Sequence, residues 1–98
     1  MSGTERSSAD LEPRRKRLLF QSWHRGTREM DLLLGRFTDA TIGDWSEDET
    51  AEMEALLRVP DTELYRWITG QDEIPDNHHS AMLDKVIAFH KSTPGAMG

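Results

Sequence analysis

Apolar residues recur at helical spacing in five short segments of this 98-residue chain, and this pattern limits the folds that are open to it. Each segment carries a single apolar stripe, so it has to pack against the others to bury that stripe. No segment alternates apolar and polar residues as a strand does. The pattern therefore predicts an all-α fold, a single small domain arranged as a five-helix bundle. The predicted helices span about residues 14–25, 27–38, 46–58, 62–69 and 78–90.

Residues that end or begin helices mark the boundary between the first two segments. Gly26 stands where the first helix should stop, because glycine enters the left-handed conformation without a steric penalty. Thr27 is a suitable cap for the second helix. Gly35 lies inside that second helix, where it costs about 1 kcal/mol of helix propensity but permits a neighbouring helix to come close.

Capping residues also mark the starts of the other three helices. Ser46 and Glu49 have the spacing of a capping box, in which each side chain binds the backbone amide of the other residue. Asp61 follows a proline and is a good cap for the fourth helix. Either Asp76 or Asn77 is expected to cap the fifth helix.

Both ends of the chain are polar and lack helical periodicity. Such segments bury too little apolar surface to become ordered. We therefore expect a disordered tail at residues 1–13, a folded domain at residues 14–91 and a flexible tail at residues 92–98. The N-terminal tail has no apolar signal core and contains acidic residues, which are unusual in a mitochondrial transit peptide. These features predict a cytoplasmic protein of bacterial origin.

The composition excludes several classes of protein. The chain has no cysteine, which excludes a disulfide scaffold, a thiolate metal site and a thiol nucleophile. No apolar run approaches the roughly 18–20 residues of a membrane-spanning helix, so no membrane insertion is expected. The net charge is −6 and the acidic residues dominate the later part of the chain, so a general binder of nucleic acid is not expected either.

Two runs of charge stand out in the sequence. Arg14–Arg17 are consecutive basic residues that form either a solvated first turn of the first helix or an arm that binds nucleic acid. The first interpretation is favoured, because the run leads directly into Leu18 and Leu19. The acidic residues of the third helix are interpreted as a solvated face, whose charge suits the N-terminal half of a helix.

No group of residues has the pattern of a catalytic or metal site. The candidate metal ligands are His24, His78, His79 and His90, and adjacent histidines on a helix point about 100° apart. The chain has neither a glycine-rich phosphate loop nor a nucleophile elbow. We therefore expect no catalytic residue, no metal and no cofactor-binding residue in this chain, and hence no enzymatic activity of its own.

The turn between the first two helices has the composition of a binding surface. Arg25 and Glu29 are expected to lie close together on it, which is consistent with a local ion pair. The alternative is a docking surface formed by Trp23, Arg25 and Arg28, since arginine and tryptophan are enriched at the centres of interfaces. Gly26 would let the backbone of a partner approach closely.

The sequence of this turn also resembles a family signature. Arg25-Gly26-x-x-Glu29, followed by Asp31, resembles the RGxxE signature of the succinate dehydrogenase assembly factor 2 family, the small flavinylation factors of bacteria and mitochondria. The resemblance continues over roughly residues 14–91, in Ser46-Glu47-Asp48-Glu49, in Leu56-Leu57 and in Pro60-Asp61-x-x-Leu64-Tyr65-x-Trp67-Ile68.

The resemblance implies an all-α five-helix fold and an assembly factor rather than an enzyme. Members of that family bind the flavoprotein subunit of succinate dehydrogenase, and in bacteria also that of fumarate reductase, and promote covalent attachment of FAD to a histidine of this client. FAD would then belong to the client, with none tightly bound to this chain. By motif position, the partner-binding residues would be Arg25, Gly26 and Glu29, flanked by His24, Arg28 and Asp31.

Two other functions are open from the residues alone. A small helical DNA-binding regulator would use Arg14–Arg17 for phosphate contacts, although the acidic later helices would repel DNA. A generic protein-interaction adaptor would use the same turn for an unrelated partner. We expect a monomer, because no heptad repeat is long enough for a coiled-coil dimer.

Overall fold

Five α-helices make up most of the structure, a computed structural model that describes residues 12–92. These described residues contain no strand, so the prediction of an all-α fold with five helices is confirmed. Two short 3₁₀ turns, Ile42–Asp44 and Asp76–His78, lie in the connections. The helices are α1 (Pro13–Trp23), α2 (Arg28–Thr41), α3 (Glu47–Leu56), α4 (Asp61–Ile68) and α5 (Ala81–Ser92).

The predicted tails fall almost entirely outside the described residues. Pro13 and Ser92, which the sequence placed in the tails, are the first residue of α1 and the last residue of α5. The prediction of disorder in the remainder of each tail stays a prediction. No helix within residues 12–92 is long and apolar enough to cross a membrane.

One hydrophobic core joins the five helices. The α1 helix packs along α2, and α5 contacts α2, α3 and α4. The apolar side chains on these faces are almost completely shielded from solvent, and the most buried include Leu34, Ile42, Met53, Leu64, Met82, Leu83 and Val86. Because α1 and α2 are both fixed to this core, the turn between them is held in place at both ends.

Gly35 allows α1 and α2 to approach each other closely, as the sequence predicted. A methyl group at this position would lie 2.7 Å from Cε2 of Trp23 and closer still to Cδ2. The Trp23 side chain is only 8% exposed, so the prediction that it forms part of an exposed docking surface is wrong. The indole lies against the glycine instead and closes the core beneath the turn.

The first two predicted caps are confirmed. The Thr27 hydroxyl accepts a hydrogen bond of 3.3 Å from the amide of Met30. At the start of α3, the Ser46 hydroxyl accepts from the Glu49 amide at 3.1 Å, and the Glu49 carboxylate accepts from the Ser46 amide at 2.9 Å. Both bonds of the capping box are therefore present.

The predicted caps of α4 and α5 are wrong. Pro60 occupies the cap position of α4, and Asp61 is the first helical residue, with its carboxylate turned to another partner. Asp76 and Asn77 belong to a 3₁₀ turn that ends in extended backbone at His79, so neither can cap α5. The Ser80 hydroxyl accepts from the Leu83 amide at 3.1 Å in their place.

The basic run on α1 is only partly solvated. The Arg14 guanidinium binds both carboxylate oxygens of Glu54 on α3, at 2.9 and 2.7 Å. Arg15 donates to the backbone carbonyls of Ile42 and Trp45, at 3.0 and 2.9 Å. The first half of the run therefore fastens α1 to the α2–α3 connection and to α3, which the sequence interpretation as a solvated turn did not foresee.

The acidic residues of α3 likewise make contacts between helices and do not form a purely solvated face. A carboxylate oxygen of Glu52 accepts from the Met82 amide at the start of α5, at 2.8 Å. Glu49 pairs with Lys85, also on α5. The carboxylates of Glu49 and Glu52 thus link α3 to α5, and the carboxylate of Glu54 links it to α1.

Acid should weaken these contacts between helices. The hydrogen bond from Lys85, together with the Ser46 amide, holds the pKa of Glu49 below its ordinary value. Hydrogen bonds from Arg14 lower the pKa of Glu54 in the same way. A carboxylate with a lowered pKa stabilises the fold above its unfolded pKa, and this contribution is lost as the pH falls through its folded pKa. We therefore expect Tm to fall as the pH drops below about 4.3.

Thermal unfolding followed by circular dichroism at several pH values measures this loss. The Glu49→Gln/Glu54→Gln variant should have a lower Tm than the native protein near neutral pH, and its Tm should fall less in acid. Glu73→Gln removes an exposed carboxylate in a loop and serves as the control. A double variant with the native dependence of Tm on pH would contradict the assignment.

Candidate functional site

The turn between α1 and α2 is an exposed corner of the molecule, which we call the corner and define as residues 24–29. Gly26 adopts a φ of +113°, a conformation that favours glycine over residues with a side chain. A methyl group built at this position would meet no atom within 4 Å. Gly26 is therefore required by the backbone and not by packing, and the space in front of it is open to a partner.

Arg25 is turned inward and fastens the corner to the α3–α4 connection. Its Nε donates to Oδ1 of Asp61 at 2.7 Å, while Nη1 and Nη2 donate to the carbonyls of Leu57 and Val59 at 2.7 and 2.9 Å. The side chain is only 12% exposed. The sequence left open whether Arg25 pairs with Glu29, and the structure shows that it does not, because the guanidinium is committed to partners on a different part of the chain.

Asp31 holds the corner from the other side. Its Oδ1 accepts from the amides of Arg25 and Gly26, at 2.5 and 3.3 Å. The residue is half-buried. Asp31 and Arg25 thus fix the backbone of the corner, and both belong to the set that the sequence singled out for contact with a partner.

The remaining members of that set face solvent. His24, Gly26, Arg28 and Glu29 are all exposed. Glu29 makes no hydrogen bond or ion pair with another residue in the range 12–92, so its carboxylate can accept bonds from a partner. The structure brings all six predicted residues to one corner, but it divides them into two that support the turn and four that present a surface.

Phe20 adds an aromatic side chain to this surface and was not predicted. It is 62% exposed, and its ring stacks on His24 with centroids 4.0 Å apart and planes 18° apart. Nδ1 of His24 lies 2.7 Å from the Phe20 carbonyl oxygen. The sequence did contain a signal for the exposure of Phe20. This residue lies off the apolar stripe of α1, and a side chain at such a position cannot reach the core.

A groove of about 290 Å³ runs beside the corner, between the start of α2 and α4. Glu29 and Met30 form one wall, and Asp61, Thr62 and Tyr65 form the other. A pocket for a whole ligand usually measures about 300–1,000 Å³. The groove has a volume near the lower end of that range and is open to solvent, so it can accept one or two side chains of a protein partner.

The chemistry of the corner is that of recognition. It combines an accessible carboxylate, an open stretch of backbone at Gly26 and a stacked aromatic pair. Within residues 12–92, no three histidine, aspartate or glutamate side chains converge in an arrangement that would hold a metal ion. The exposed carboxylate, the open backbone and the aromatic pair can make contacts with a protein surface. Two of the three residues that the sequence placed in a docking surface do not take part, because Trp23 is buried and Arg25 is turned inward.

Comparisons with known proteins point to one family. The family model described as "Flavinator of succinate dehydrogenase" matches residues 16–90, which include the corner and nearly all of the five helices. The chain is 37% identical over 78 residues to the "FAD assembly factor SdhE" of Acetobacter pasteurianus, covering 80% of this chain and 72% of that relative.

Mitochondrial proteins give similar matches. The chain is 35% identical over 86 residues to the "Succinate dehydrogenase assembly factor 2, mitochondrial" of Dictyostelium discoideum, covering 88% of this chain and 61% of the relative. The protein of the same name in Debaryomyces hansenii is 33% identical over 86 residues, with 85% and 61% covered. The chain thus spans less than two thirds of these two mitochondrial relatives. No solved structure matches it.

Proposed function

The chain belongs to the family of succinate dehydrogenase flavinators, and from this membership we propose that it binds the flavoprotein subunit of succinate dehydrogenase and promotes covalent attachment of FAD to that subunit. The chain is then an assembly factor and not an enzyme in its own right. One structural observation supports the choice of binding residues in this proposal. The RGxxE corner is exposed and fixed in shape, and it leaves Gly26 and Glu29 open to a partner.

The docking surface in this proposal consists of His24, Gly26, Arg28 and Glu29. Arg25 and Asp31 act indirectly, by holding the backbone of the corner in one shape. A fixed surface of this kind can orient the client so that its histidine and its flavin stay aligned, and such positioning has a large effect on rate. The bond-making groups and FAD belong to the client, with no FAD tightly bound to this chain.

Three finer points of the proposal have their own support. The flavoprotein subunit of fumarate reductase is a second client, because fumarate reductase interconverts the same pair of compounds, succinate and fumarate, in the opposite direction. The chain acts as a monomer, since among residues 12–92 Phe20 is the one large apolar side chain left exposed. It works in the bacterial cytoplasm, in keeping with the absence of cysteine and with its bacterial relative.

The DNA-binding alternative is not supported. Arg14 and Arg15, which would have to contact phosphates, are engaged with α3 and with the α2–α3 connection. The matches to flavinators cover most of the chain. They identify a specific family, so the interpretation as a generic protein-interaction adaptor is no longer needed.

In-gel flavin fluorescence of the denatured flavoprotein subunit tests the proposed function. Deletion of the gene should abolish the covalent flavin signal, and the native gene should restore it. The Gly26→Arg variant should fail to restore it, because a bulky side chain would occupy the open space in front of the corner and strain the backbone.

Gly70→Arg provides the matched control. Gly70 also has a positive φ, of +79°, and also has open space around it, but it lies at the far end of α4. The two variants add the same side chain to a glycine of positive φ in open space, although the φ of Gly70 is closer to the left-handed region that other residues can enter. Gly70→Arg should therefore restore flavinylation, and Tm of both variants shows how much of any difference comes from backbone strain. A normal flavin signal in the deletion strain would refute the assembly role itself.

A further inference from the structure

A second pocket lies between α1 and the end of α3 and is lined by three arginines. Its volume is about 210 Å³, and Arg14, Arg17 and Arg58 surround it together with Gln21, Glu54 and Leu57. We call it the arginine pocket. A concentration of guanidinium groups around one cavity is unexpected in a protein whose net charge is −6.

The charges in the arginine pocket do not cancel. Arg14 is compensated by Glu54, through hydrogen bonds of 2.9 and 2.7 Å, and by Glu47 at 2.9 Å. Glu54 is the one carboxylate that lines the pocket, and it also attracts Arg17 and Arg58, so three guanidinium groups share a single lining carboxylate. Arg17 and Arg58 are exposed, and neither makes a hydrogen bond or ion pair with another residue of the described part of the chain. Two guanidinium groups with unused donors therefore face the same cavity.

We infer that the arginine pocket binds a carboxylate side chain from an acidic segment of the client flavoprotein. The inference rests on the proposed function for the identity of the partner. A guanidinium presents paired donors that match the two oxygens of a carboxylate, and Gln21 adds a neutral donor at the edge of the cavity.

The size and surroundings of the pocket favour this ligand over others. A volume of about 210 Å³ is smaller than the roughly 300–1,000 Å³ of a typical ligand pocket, so it suits a single side chain and not a flavin nucleotide. The acidic remainder of the protein disfavours a polyanion such as nucleic acid, which would have to extend beyond the pocket.

The arginine pocket is continuous with the corner. Leu57 lines the pocket, and its carbonyl is the one that accepts the 2.7 Å hydrogen bond from Arg25. Gln21 also lines the pocket, and its carbonyl accepts a 3.2 Å hydrogen bond from the amide of His24, the first residue of the corner. A single partner can therefore cover both sites at once.

Two contacts of opposite charge would define how the client sits. Glu29 at the corner accepts hydrogen bonds from the client, whereas Arg17 and Arg58 donate them. A client rotated by half a turn would place its acidic segment against Glu29, and juxtaposed like charges are strongly unfavourable at an interface. The arginine pocket thus fixes the orientation that the corner alone leaves undetermined.

Binding of the purified protein to the recombinant flavoprotein subunit, measured by titration calorimetry, tests the inference. The Arg17→Gln/Arg58→Gln variant should bind with a Kd about tenfold higher than the native protein, because the carboxylate loses both charged donors. Its Kd should also change less between roughly 0.05 M and roughly 0.5 M salt, since fewer ion pairs are left to be screened.

The Arg36→Gln/Lys91→Gln variant is the matched control. It removes two exposed positive charges on α2 and α5, away from the arginine pocket, and so produces the same net charge. Its Kd should stay near the native value. Circular dichroism of both variants checks that the helices and Tm are retained, which the exposure of all four residues leads us to expect.

Equal Kd values for the two double variants would overturn the inference about the arginine pocket. The proposed function would survive that result, because the native protein would still bind its client. Absence of any binding by the native protein would instead count against the proposed function. The two failures are therefore distinguishable in one set of measurements.

Discussion

The Asp61→Ala variant should lose about 2–3 kcal/mol of unfolding free energy, although Asp61 lies 36 residues from the arginine that it binds. The Arg25 side chain is only 12% exposed in the native structure. Removal of the Asp61 carboxylate therefore leaves the buried guanidinium of Arg25 without a charged partner. Loss of one member of a fully buried pair costs about 3–5 kcal/mol, and the 22% exposure of Asp61 reduces that cost. Urea denaturation at neutral pH measures the change.

Two further variants isolate the cause of this loss. Asp61→Asn keeps an oxygen that can accept from Arg25 but removes the charge, so its loss should be smaller than that of Asp61→Ala. Glu63→Ala removes an exposed carboxylate from the same helix turn and should change stability by no more than about 0.5 kcal/mol. Equal effects of Asp61→Ala and Glu63→Ala would show that Arg25 does not depend on Asp61.

The same variant should impair flavinylation at temperatures where it stays folded. Arg25 would then be held by two backbone carbonyls only, and the corner would lose its charged link to α4. In-gel flavin fluorescence should fall for Asp61→Ala and remain native for Glu63→Ala. Asp61 would thereby act as a positioning residue for the corner, in addition to lining the groove beside it.

The Gly35→Ala variant should lose about 1–3 kcal/mol of unfolding free energy, because an added methyl group overlaps the indole of Trp23. Helix propensity alone predicts the opposite sign, since alanine in a helix is about 1 kcal/mol better than glycine. The sign of the measured change therefore decides between packing and propensity. Arg36→Ala, the next residue and exposed, should be nearly neutral.

A double-mutant cycle ties the loss to the indole. Trp23→Ala should itself cost about 3–5 kcal/mol, as expected for removal of a large buried aromatic side chain. In that background the space beside Gly35 is empty, so Gly35→Ala should become neutral or stabilising. Additive effects of the two substitutions would contradict the close contact between α1 and α2.

Local rules predicted most of the fold. The helical periodicity located all five helices, and the capping box at Ser46 and the cap at Thr27 were correct because each involves residues three positions apart. The close approach at Gly35 was also anticipated from the sequence, because a glycine inside a helix lowers helix stability and a close contact with a neighbouring helix can account for its presence. The start of α5 was placed early, because a 3₁₀ turn of capping-type residues precedes the true cap at Ser80.

Contacts between distant parts of the chain were not predictable in this way. The spacing of Arg25 and Glu29 left their pairing open, because Arg25 lies outside any helix, where that spacing has no fixed geometry. Its actual partners are 32 to 36 residues away. The contacts of Arg14 and Arg15 with α3 and its preceding connection escaped prediction for the same reason.

The two amide bonds to Asp31 have a consequence for the kinetics of association. They order the backbone of Arg25 and Gly26 before any client arrives, so little conformational entropy is lost when the complex forms. A rigid loop of this kind docks without a preceding rearrangement, and its association rate is limited by diffusion and orientation. Asp31 would therefore contribute to the rate of association without touching the client.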